Sequence, residues 1–429
     1  MTILILAYAS EPGAGSEYGV GWMVPLTMAQ RHPEHQIYVL TRGRCREKIE
    51  TTLSTLNLPN LHYLFYDIPR WMFRKNEMQS HWGEQINYWL WQVMLRHKVK
   101  GSRLRVEGAK DVQFDIVHHL TFNQYRTPSV GYWMDIPFIV GPIGGAECIA
   151  SAFLQDLDEH TAKKERMRLK GRDLPIFRWL NTRRKNKKVI LCSSQENVDR
   201  LTPYKGNSEI CLMPAIGYSN ADFNANVNDV SHSSSLFTLI YAGKAFDWKG
   251  IHIFLKASAR AFSMKEKSAE SAKSAHFKIK LIGIRSENEQ QMVMGWVKEE
   301  GLTDNVELIP FIQRAELLKM MTTANLSVYP AFRDSGSMSV LEASALGCPT
   351  ICFDAGGQDA FPDDILLKVK VGKTYDECLD AFAYKLRWAY DHRDEAAAIG
   401  KKSQEWVEQN LTWEKKVNDF VYIYNNVTD

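Results

Sequence analysis

Residues Tyr329–Gly357 read YPAFRDSGSMSVLEASALGCPTICFDAGG, and this segment indicates the fold class of the chain. An apolar run is followed by a serine- and glycine-rich loop, a helical stretch and a second β-rich run, a pattern typical of a strand–loop–helix–strand unit. Ser339 precedes Glu342 by three residues, the spacing of a capping box, and Gly347 is typical of a helix end. Because free amides at a helix start attract anions, we expect an anion-binding site here.

The same alternation of short apolar runs and helical stretches extends in both directions from this segment. The predicted strands are 2–8, 36–41, 61–66, 114–118, 138–141, 189–193, 236–242, 278–282, 306–310, 326–329 and 350–353. The predicted helices are 19–31, 251–262, 287–300, 315–323, 339–346, 375–390 and 395–424. The polar stretch 220–235 separates the two series and is interpreted as an interdomain linker. The sequence therefore predicts an α/β protein with two doubly wound domains and a crevice between their carboxyl-end loops.

Composition excludes several classes of protein. The net charge of the 429 residues is only +3, which gives no reason to expect a nucleic-acid partner. The seven cysteines are scattered and form no CxxC pair, so we expect reduced thiols in a cytoplasmic protein. No apolar run reaches the ~18 residues that a membrane-spanning helix needs.

Two acidic residues of Tyr329–Gly357, Asp334 and Glu342, have seven residues between them. The predicted helix that contains Glu342 ends in Gly347-Cys348-Pro349. This arrangement resembles the donor-binding motif of glycosyltransferase family 4, which has the GT-B fold and retains the anomeric configuration of a nucleotide-linked sugar. The resemblance implies that Glu342 holds the ribose hydroxyls. It also implies that Asp334, where the family usually has Glu, lies near the donor sugar. The alternative is that Glu342 caps its helix and Asp334 is a turn residue.

The family also implies that backbone amides of this helix start bind the distal phosphate. The residues concerned are Ser337, Met338, Ser339 and Val340. After the third strand-like run of the second series, 306–310, the family packs a loop on the base, and that position here is Ile312. Because such recognition uses the backbone, UDP- and GDP-linked donors both remain open.

A second segment, 241–250, reads YAGKAFDWKG and follows the first strand of the second series. Its two cations, Lys244 and Lys249, can reach a diphosphate from a loop that contains Gly243. The resemblance implies that they neutralise the leaving pyrophosphate, although the family usually has Arg where Lys244 stands, so bidentate geometry is lost. The alternative is that both lysines are solvated surface residues.

The loops that follow the predicted strands of the first series resemble the family less closely than those of the second series. Gly13 and Gly15 permit a close backbone approach, but Tyr18 replaces the third glycine of GxGxxG, so a nicotinamide-dependent oxidoreductase is disfavoured. The alternative is a plain strand-to-helix turn. In FDIVHHLTF, either His118 or His119 matches the family histidine that touches the donor sugar. We favour His119 for the reacting centre and His118 for the acceptor side, with a buried structural histidine as the alternative.

The acceptor is expected to be a glycan or a lipid-linked molecule. Gly144, Gly145 and Glu147 of GPIGGAE are candidate acceptor residues, and a tight loop with a solvated acid is the alternative. Segments 69–105 and 163–188 combine cations with aromatic residues, which suits peripheral attachment to an anionic membrane surface, unless the aromatic residues are core. The pair Asp156 and Asp158 lies in a polar helical run, so no metal and no other cofactor are expected.

The resemblance implies a domain division as well. Residues 1–215 form an N-terminal Rossmann-like acceptor domain, residues 216–409 form the donor domain, and 410–429 pack back on the first domain. The expected activity is retaining sugar transfer in bacterial surface polysaccharide synthesis. Competing interpretations are a GT-B phosphorylase or epimerase, and a non-catalytic GT-B scaffold, which the departures at Asp334 and Lys244 favour.

Overall fold

A computed structural model describes residues 1–69, 81–127, 129–171, 175, 177–179, 188–219, 236–263 and 276–428. The chain divides into two compact units. The first unit comprises Met1–Ala146, Arg172–Gly217 and Trp413–Asp429, and the second comprises Glu147–Gly171 and Tyr218–Thr412. The predicted linker 220–235 lies outside the described residues. The division at Gly217 follows the predicted boundary by two residues, whereas Glu147–Gly171 belongs to the second unit and not to the first.

The strands are β1 (Thr2–Ala7), β2 (Gln36–Thr41), β3 (Leu61–Phe65), β4 (Val99–Lys100), β5 (Arg103–Leu104), β6 (Ile116–Thr121), β7 (Phe138–Ile143), β8 (Lys188–Cys192), β9 (Glu209–Leu212), β10 (Phe237–Ala242), β11 (Phe277–Ile282), β12 (Val306–Ile309), β13 (Leu326–Tyr329), β14 (Thr350–Phe353) and β15 (Leu367–Val369). The α-helices are α1 (Ser16–Arg31), α2 (Arg46–Ser54), α3 (His81–Arg96), α4 (Glu159–Leu169), α5 (Gln195–Leu201), α6 (Ile251–Ser263), α7 (Glu287–Glu299), α8 (Arg314–Thr323), α9 (Met338–Ala345), α10 (Tyr375–Asp391), α11 (Arg393–Asn410) and α12 (Trp413–Thr428).

The first unit is a parallel sheet in the order β3-β2-β1-β6-β7-β8-β9, covered on both faces. Alternate residues of β1 enter two different cores, because successive side chains of a strand point to opposite faces. Ile3 and Ile5 pack in the core that includes Phe420 of α12. Leu4 and Leu6 pack in the core that includes Trp91 of α3. The central strand is therefore buried on both sides, as its continuous apolar run predicts.

The second unit is a parallel sheet in the order β12-β11-β10-β13-β14-β15. This is the 3-2-1-4-5-6 order of a Rossmann-like sheet, which reverses direction between β10 and β13. Loops that follow strands on either side of such a reversal meet at the carboxyl edge of the sheet. The loops after β10 and β13 are the two segments with the clearest family resemblance.

Residues Glu147–Gly171 pack on the second unit through an aromatic anchor. The ring of Phe153 stacks on Phe332 with centroids 4.0 Å apart and an interplanar angle of 10°, and it also meets Phe353 at 4.9 Å. Phe153 is completely buried. Truncating a buried Phe typically costs about 3–5 kcal/mol, so this contact contributes strongly to holding the segment in place.

The α/β class and the two Rossmann-like units are confirmed, and so is the return of the C-terminal helix to the first unit. The predicted single helix 395–424 is wrong, because it divides into α11 and α12 around Leu411 and Thr412, where the chain leaves one unit for the other. The short strands β4, β5, β9 and β15 were not predicted. Among the described residues, no helix is both long and apolar enough to span a bilayer.

Candidate functional site in the second unit

Lys249 is brought to the carboxyl edge of the second sheet by a short turn. Asp247–Lys249 form a 3-10 turn, and Gly250 ends it with a φ of 68°. A Cβ at Gly250 would lie 2.0 Å from the carbonyl oxygen of Pro330, so the loop after β10 sits directly against the loop after β13. Only glycine satisfies both the left-handed backbone and this close approach.

Lys249, Tyr329 and Asp334 form a hydrogen-bonded cluster. Lys249 Nζ donates to Tyr329 Oη at 3.0 Å and forms an ion pair with Asp334 Oδ2. The Tyr329 hydroxyl donates to the same carboxylate oxygen. Burial, together with the charge of Asp334, raises the pKa of Tyr329, which keeps the phenol protonated and able to donate. The side chains of Lys249 and Asp334 are 19% and 22% exposed, so a ligand can reach both.

The backbone also fixes Asp334. Its second carboxylate oxygen, Oδ1, accepts from the amide of Gly336 at 3.2 Å, and its carbonyl accepts from the amide of Gly357 at 2.6 Å. Gly356 has a φ of 64°, and a Cβ there would lie 2.5 Å from the Asp334 carbonyl. The paired glycines at 356 and 357 thus let the loop after β14 pack on the acidic residue.

Helix α9 begins beside this cluster, and its start differs from the predicted capping box. The N-cap is Ser337, whose hydroxyl donates to Gln358 Oε1 at 3.1 Å and makes no capping bond. Ser339 lies inside the first turn, so the capping-box interpretation of Ser339 and Glu342 is wrong. The amide of Met338 donates to Gly336. The amides of Ser339 and Val340 belong to the first turn, where a helix has no carbonyl of its own to offer.

Glu342 lies one turn further along α9 and is 9% exposed. Its Oε1 accepts from Arg314 Nε, in α8, at 2.8 Å. The side chain of Arg314 is 40% exposed, so the pair lies at the edge of the protein surface. The capping role for Glu342 is therefore excluded, because its carboxylate faces Arg314 and makes no capping bond to its own helix.

The remaining predicted donor residues surround this cluster. Lys244 is exposed, and its ammonium group forms no ion pair with any residue in the described part of the chain, lying instead 5.5 Å from the Phe246 ring centroid. The amide of Gly243 donates to Ile282 at 2.9 Å. Ile312 is half-buried beside Phe311, which is 52% exposed and lies under the Arg285 guanidinium at 4.3 Å. The side chains of Phe311 and Ile312 offer an apolar surface in the loop after β12.

The segment after β7 contacts the loop after β13, which holds Asp334, and the sequence did not indicate this contact. Glu147 is fully buried and accepts from the Ser335 hydroxyl at 3.0 Å. Glu165, 3% exposed, forms ion pairs with Arg333 and, at 3.5 Å, with Arg168. The two residues that flank Asp334 in sequence, Arg333 and Ser335, are thus both held by buried carboxylates. Glu147 was predicted to contact the acceptor, and in the structure its carboxylate contacts the donor motif.

Asp156 and Asp158 also have structural partners in the second unit. Asp158 is the N-cap of α4 and accepts from His160 and Thr161 at 2.9 and 3.0 Å, and Asp156 accepts from His252 at 2.8 Å. The side chain of Asp156 is only 6% exposed, so its predicted place on a solvated helical face is wrong.

Predicted site residues in the first unit

His118 and His119 lie inside β6, because this strand continues three residues beyond its predicted end. Neighbouring residues of a strand face opposite sides, so the two histidines enter different cores. His118 Nε2 donates to the Gly141 carbonyl at 2.8 Å, and its Nδ1 accepts from the Tyr424 hydroxyl of α12. Burial lowers the pKa of His118 to about 4. With both nitrogens paired and no exposed surface, His118 has the structural role that the sequence left open.

His119 faces α3 on the other side of the sheet. Its Nε2 lies within hydrogen-bond distance of the Thr121 carbonyl at 3.1 Å, the Tyr88 hydroxyl at 3.2 Å and Gln92 Nε2 at 3.4 Å. The other nitrogen, Nδ1, is buried and makes no hydrogen bond with the described residues. Burial lowers the pKa of His119 to about 3, so the imidazole is neutral at pH 7. A buried polar nitrogen without a partner is costly.

The predicted glycines of the first unit have open surroundings. A Cβ built at Gly13, Gly15 or Gly145 meets no atom within 4 Å. Gly144 pairs with Gln124 in an isolated bridge. Gly13 has a φ of 68°, and Gly15 is the N-cap of α1. Gly21 is closely packed by contrast, since a Cβ there would lie 1.9 Å from the Ala9 carbonyl oxygen.

Comparisons with known proteins agree with this architecture. Residues 222–406 match the family described as Glycosyl transferases group 1. Sucrose-phosphate synthase from Thermosynechococcus elongatus is 16% identical, with coverage of 99% of this chain and 98% of its own and a TM-score of 0.59. Anabaena Alr3699/HepE, solved with UDP and glucose, is 13% identical, with 99% and 100% coverage and a TM-score of 0.59.

WaaG, a glycosyltransferase involved in lipopolysaccharide biosynthesis, is 15% identical, with 98% and 99% coverage and a TM-score of 0.62. At these identities the likeness shows the GT-B fold. No curated protein matches the chain.

Proposed function

We propose that this protein is a retaining glycosyltransferase that moves a sugar from a UDP- or GDP-linked donor to a glycan or lipid-linked acceptor. The observation that carries the proposal is the cluster at the carboxyl edge of the second sheet. There, the Glu342 carboxylate, the start of α9 and the Lys249–Asp334 pair come together in a group 1 glycosyl transferase domain. The UDP complexes of Anabaena HepE, a protein of the same fold, support a nucleoside diphosphate as the ligand.

In this proposal, Glu342 accepts hydrogen bonds from the ribose hydroxyls. Its burial to 9% exposure favours such a role, because a buried carboxylate gains from each additional donor. The diphosphate lies at the start of α9, where the amides of Ser339 and Val340 and the positive end of the helix dipole stabilise its charge. Phe311 and Ile312 offer the surface on which the base packs.

Lys249 and Lys244 stabilise the charge that develops on the leaving diphosphate. The bond between the anomeric carbon and the phosphate oxygen breaks as the acceptor oxygen forms a bond on the same face, and the acceptor proton passes to the departing phosphate oxygen. Lys249 is held by Tyr329 and Asp334 before the donor arrives, so its ammonium is pre-positioned. We propose that Asp334, on the same cluster, accepts a hydroxyl of the donor sugar.

His119 is the first-unit residue proposed for the reacting centre. Its Nδ1, which makes no hydrogen bond with the described residues, and its neutral charge suit hydrogen bonding to a sugar hydroxyl and do not suit donation of a catalytic proton. His118 is not included, since both of its nitrogens are occupied. We keep Gly144 and Gly145 as proposed acceptor contacts, while Glu147 is reassigned to support of the donor loop.

Peripheral membrane attachment is the proposed route to a lipid-linked acceptor, with a role in bacterial surface polysaccharide synthesis. In the first unit, α3 exposes Ile86 and Trp89 by 51% and 49%. In the basic segment 163–188, Met167 and Trp179 are 47% and 55% exposed. By contrast, Tyr88 and Trp91 are core residues. Residues 70–80, 172–174, 176 and 180–187 of these basic segments lie outside the described residues.

Binding of nucleotides tests the proposal directly. Calorimetric titration with UDP, GDP and ADP, followed by the corresponding sugar nucleotides, should identify one base, and Glu342→Gln should weaken that nucleotide. Transfer assays with the preferred donor should then yield a product with the donor's anomeric configuration. Absence of binding by every nucleotide, or equal binding by wild type and Glu342→Gln, would contradict the proposed site.

The lysines supply the positive charge that some transferases take from a divalent ion, so we propose that donor binding needs no metal. Transfer should be unchanged after treatment with EDTA. Loss of transfer on chelation, with recovery on adding Mg²⁺ or Mn²⁺, would contradict this part of the proposal.

A further inference from the structure

A group of three side chains at the end of α1 lies outside every role described above. His32, Glu34 and His35 follow the helix in the sequence His-Pro-Glu-His, immediately before β2. One ligand atom from each lies within 4.8 Å of the other two. These residues stand at the amino ends of β1 and β2, the edge of the first sheet opposite its glycine loops.

The tautomer of His32 leaves a lone pair directed at the carboxylate. His32 Nε2 lies 2.9 Å from Asn418 Oδ1, which only accepts, so the proton of the neutral ring is on Nε2. Its Nδ1 then faces Glu34 Oε1 at 3.2 Å as a second acceptor. Two acceptors at hydrogen-bond distance repel each other unless a proton or a cation lies between them.

His35 supplies an independent second observation. Its side chain is 9% exposed, and its Nε2 is buried without a hydrogen bond to any described residue. This nitrogen lies 3.6 Å from the same Glu34 oxygen. Its other ring nitrogen, Nδ1, lies 3.4 Å from the amino group of Met1.

We propose that His32 Nδ1, Glu34 Oε1 and His35 Nε2 form a binding site for a divalent transition metal ion, most suitably Zn²⁺. Two imidazole nitrogens and one carboxylate suit zinc, whereas Mg²⁺ and Ca²⁺ prefer sets of oxygen ligands. Bonds of about 2.0–2.2 Å to tetrahedral zinc put ligand atoms roughly 3.3–3.5 Å apart, and the two separations from Glu34 Oε1, 3.2 and 3.6 Å, are close to this.

The position of the site indicates a structural role. A bound ion joins the end of α1 to the start of β2, and the Asn418 contact connects it to α12, the last element of the first unit. Asn418 orients the ring of His32 in the way that outer hydrogen-bond partners orient metal ligands. Binding to the folded state alone raises the thermal stability of the protein by mass action.

The test compares zinc binding by variants of the full-length, tag-free, metal-stripped protein. Isothermal titration with ZnCl₂ should show one more equivalent bound by wild type and by the control His97→Ala than by the double variant His32→Ala/His35→Ala. His97 is an exposed histidine of the same unit. Because all variants share the partly exposed thiols of Cys45, Cys148 and Cys211, zinc bound by cysteine cancels in the comparison.

Glu34→Gln controls for misfolding of the double variant, because the Glu34 side chain is 59% exposed and its replacement leaves the core intact. This variant should bind zinc at least 10-fold more weakly at the site and should lose the saturable rise in melting temperature seen with wild type. Asn418→Ala should weaken binding about 10–100-fold, the usual cost of losing an outer partner. Equal zinc stoichiometry and affinity in wild type, the double variant and Glu34→Gln would overturn the proposal.

Discussion

The loop after β1 in the first unit and the loop after β13 in the second both connect a buried strand to a helix, but they are built differently. Around Gly13 and Gly15 a side chain would meet no atom within 4 Å. At Gly356, which packs on the second loop, a Cβ would lie 2.5 Å from the Asp334 carbonyl. Both loops carry an ion pair, Glu11 with Lys48 in the first and Asp334 with Lys249 in the second, where Tyr329 also donates to the carboxylate. The second unit thus packs glycines closely around its charged loop, whereas the glycines of the first loop have free space around them.

Under the proposed function, this difference separates the loop that binds a constant ligand from the loops that accommodate variable acceptors. A diphosphate presents the same charge in every sugar nucleotide, so fixed amides and cations can be pre-arranged for it. Acceptors vary in shape, and glycine loops with free space around them accommodate variation without repacking a core. The following predictions test whether the contrast between the two loops has this functional meaning.

The largest expected effect is that of Lys249→Ala. Removing a pre-positioned cation from the leaving group should lower kcat/KM by about 10²–10³, the range found when one electrostatic contact to a transition state is deleted. Lys319→Ala, at an exposed position of α8, is the matched control and should have normal activity. Steady-state kinetics with the preferred donor, alongside circular dichroism spectra, provides the measurement. Unchanged turnover in Lys249→Ala would remove the charged loop from the mechanism.

Glu342→Gln should weaken nucleotide binding by about 10–100-fold, since a hydrogen bond to a charged group contributes roughly 1.5–3 kcal/mol. Calorimetry with the preferred nucleoside diphosphate measures this change. Glu316→Gln, an exposed acid of α8, is the matched control. An equal loss for the nucleoside diphosphate and for inorganic pyrophosphate would show that Glu342 acts on the fold of the loop and not on the ribose.

A glycine pair compares the two loops directly. Gly356→Ala forces a Cβ against a carbonyl at a φ of 64° and should lower the free energy of unfolding by about 1–3 kcal/mol. Gly15→Ala, at a φ of −93° in open space, should change it by less than about 0.5 kcal/mol. Urea unfolding monitored by tryptophan fluorescence gives both values. Equal effects would mean that the crowding at Gly356 is readily relieved.

The last prediction concerns the pH dependence of the stability of the first unit. His118 and His119, with pKa values lowered to about 4 and about 3, are neutral in the fold but take up protons near pH 6.5 when unfolded. The unfolded state then binds more protons, so stability is fully present above pH 6.5 and falls as the pH drops toward 4, by at most about 1.4 kcal/mol per pH unit for each histidine.

His118→Gln should make this loss shallower, as measured by urea midpoints at pH 7.0, 5.5 and 4.5. The exposed His97→Gln should keep the slope of the wild type. A slope that is the same in His118→Gln as in wild type would indicate that other groups cause the acid loss.

Sequence patterns predicted most of the second unit because its site is local. Lys249, Asp334 and Glu342 lie on two strand–loop–helix segments, β10–α6 and β13–α9, whose residues carry the resemblance, and the parallel pairing of β10 with β13 brings their loops together. Tyr329 and Arg314 were missed because an ordinary strand tyrosine and a helix arginine have no distinctive spacing. Glu165 was missed for a different reason, since its partner Arg333 is 168 residues away.

The histidines of the first unit were harder to interpret because strand length decides their surroundings. A prediction that ended β6 at His118 put both rings at the loop, whereas three more strand residues place them on opposite faces of the sheet. The sequence did not predict the break between α11 and α12 either, because both segments have a helical pattern and only tertiary packing separates them.

The location of α12 has a consequence for biosynthesis. The ribosome makes the strands of the first sheet early, but the helix that supplies Val417, Phe420 and Tyr424 to one of its cores is made only after the second unit. The second unit has all its strands and helices before then. During translation, the unit that emerges first is therefore completed after the second unit, and its nascent sheet keeps an apolar face open until α12 has emerged.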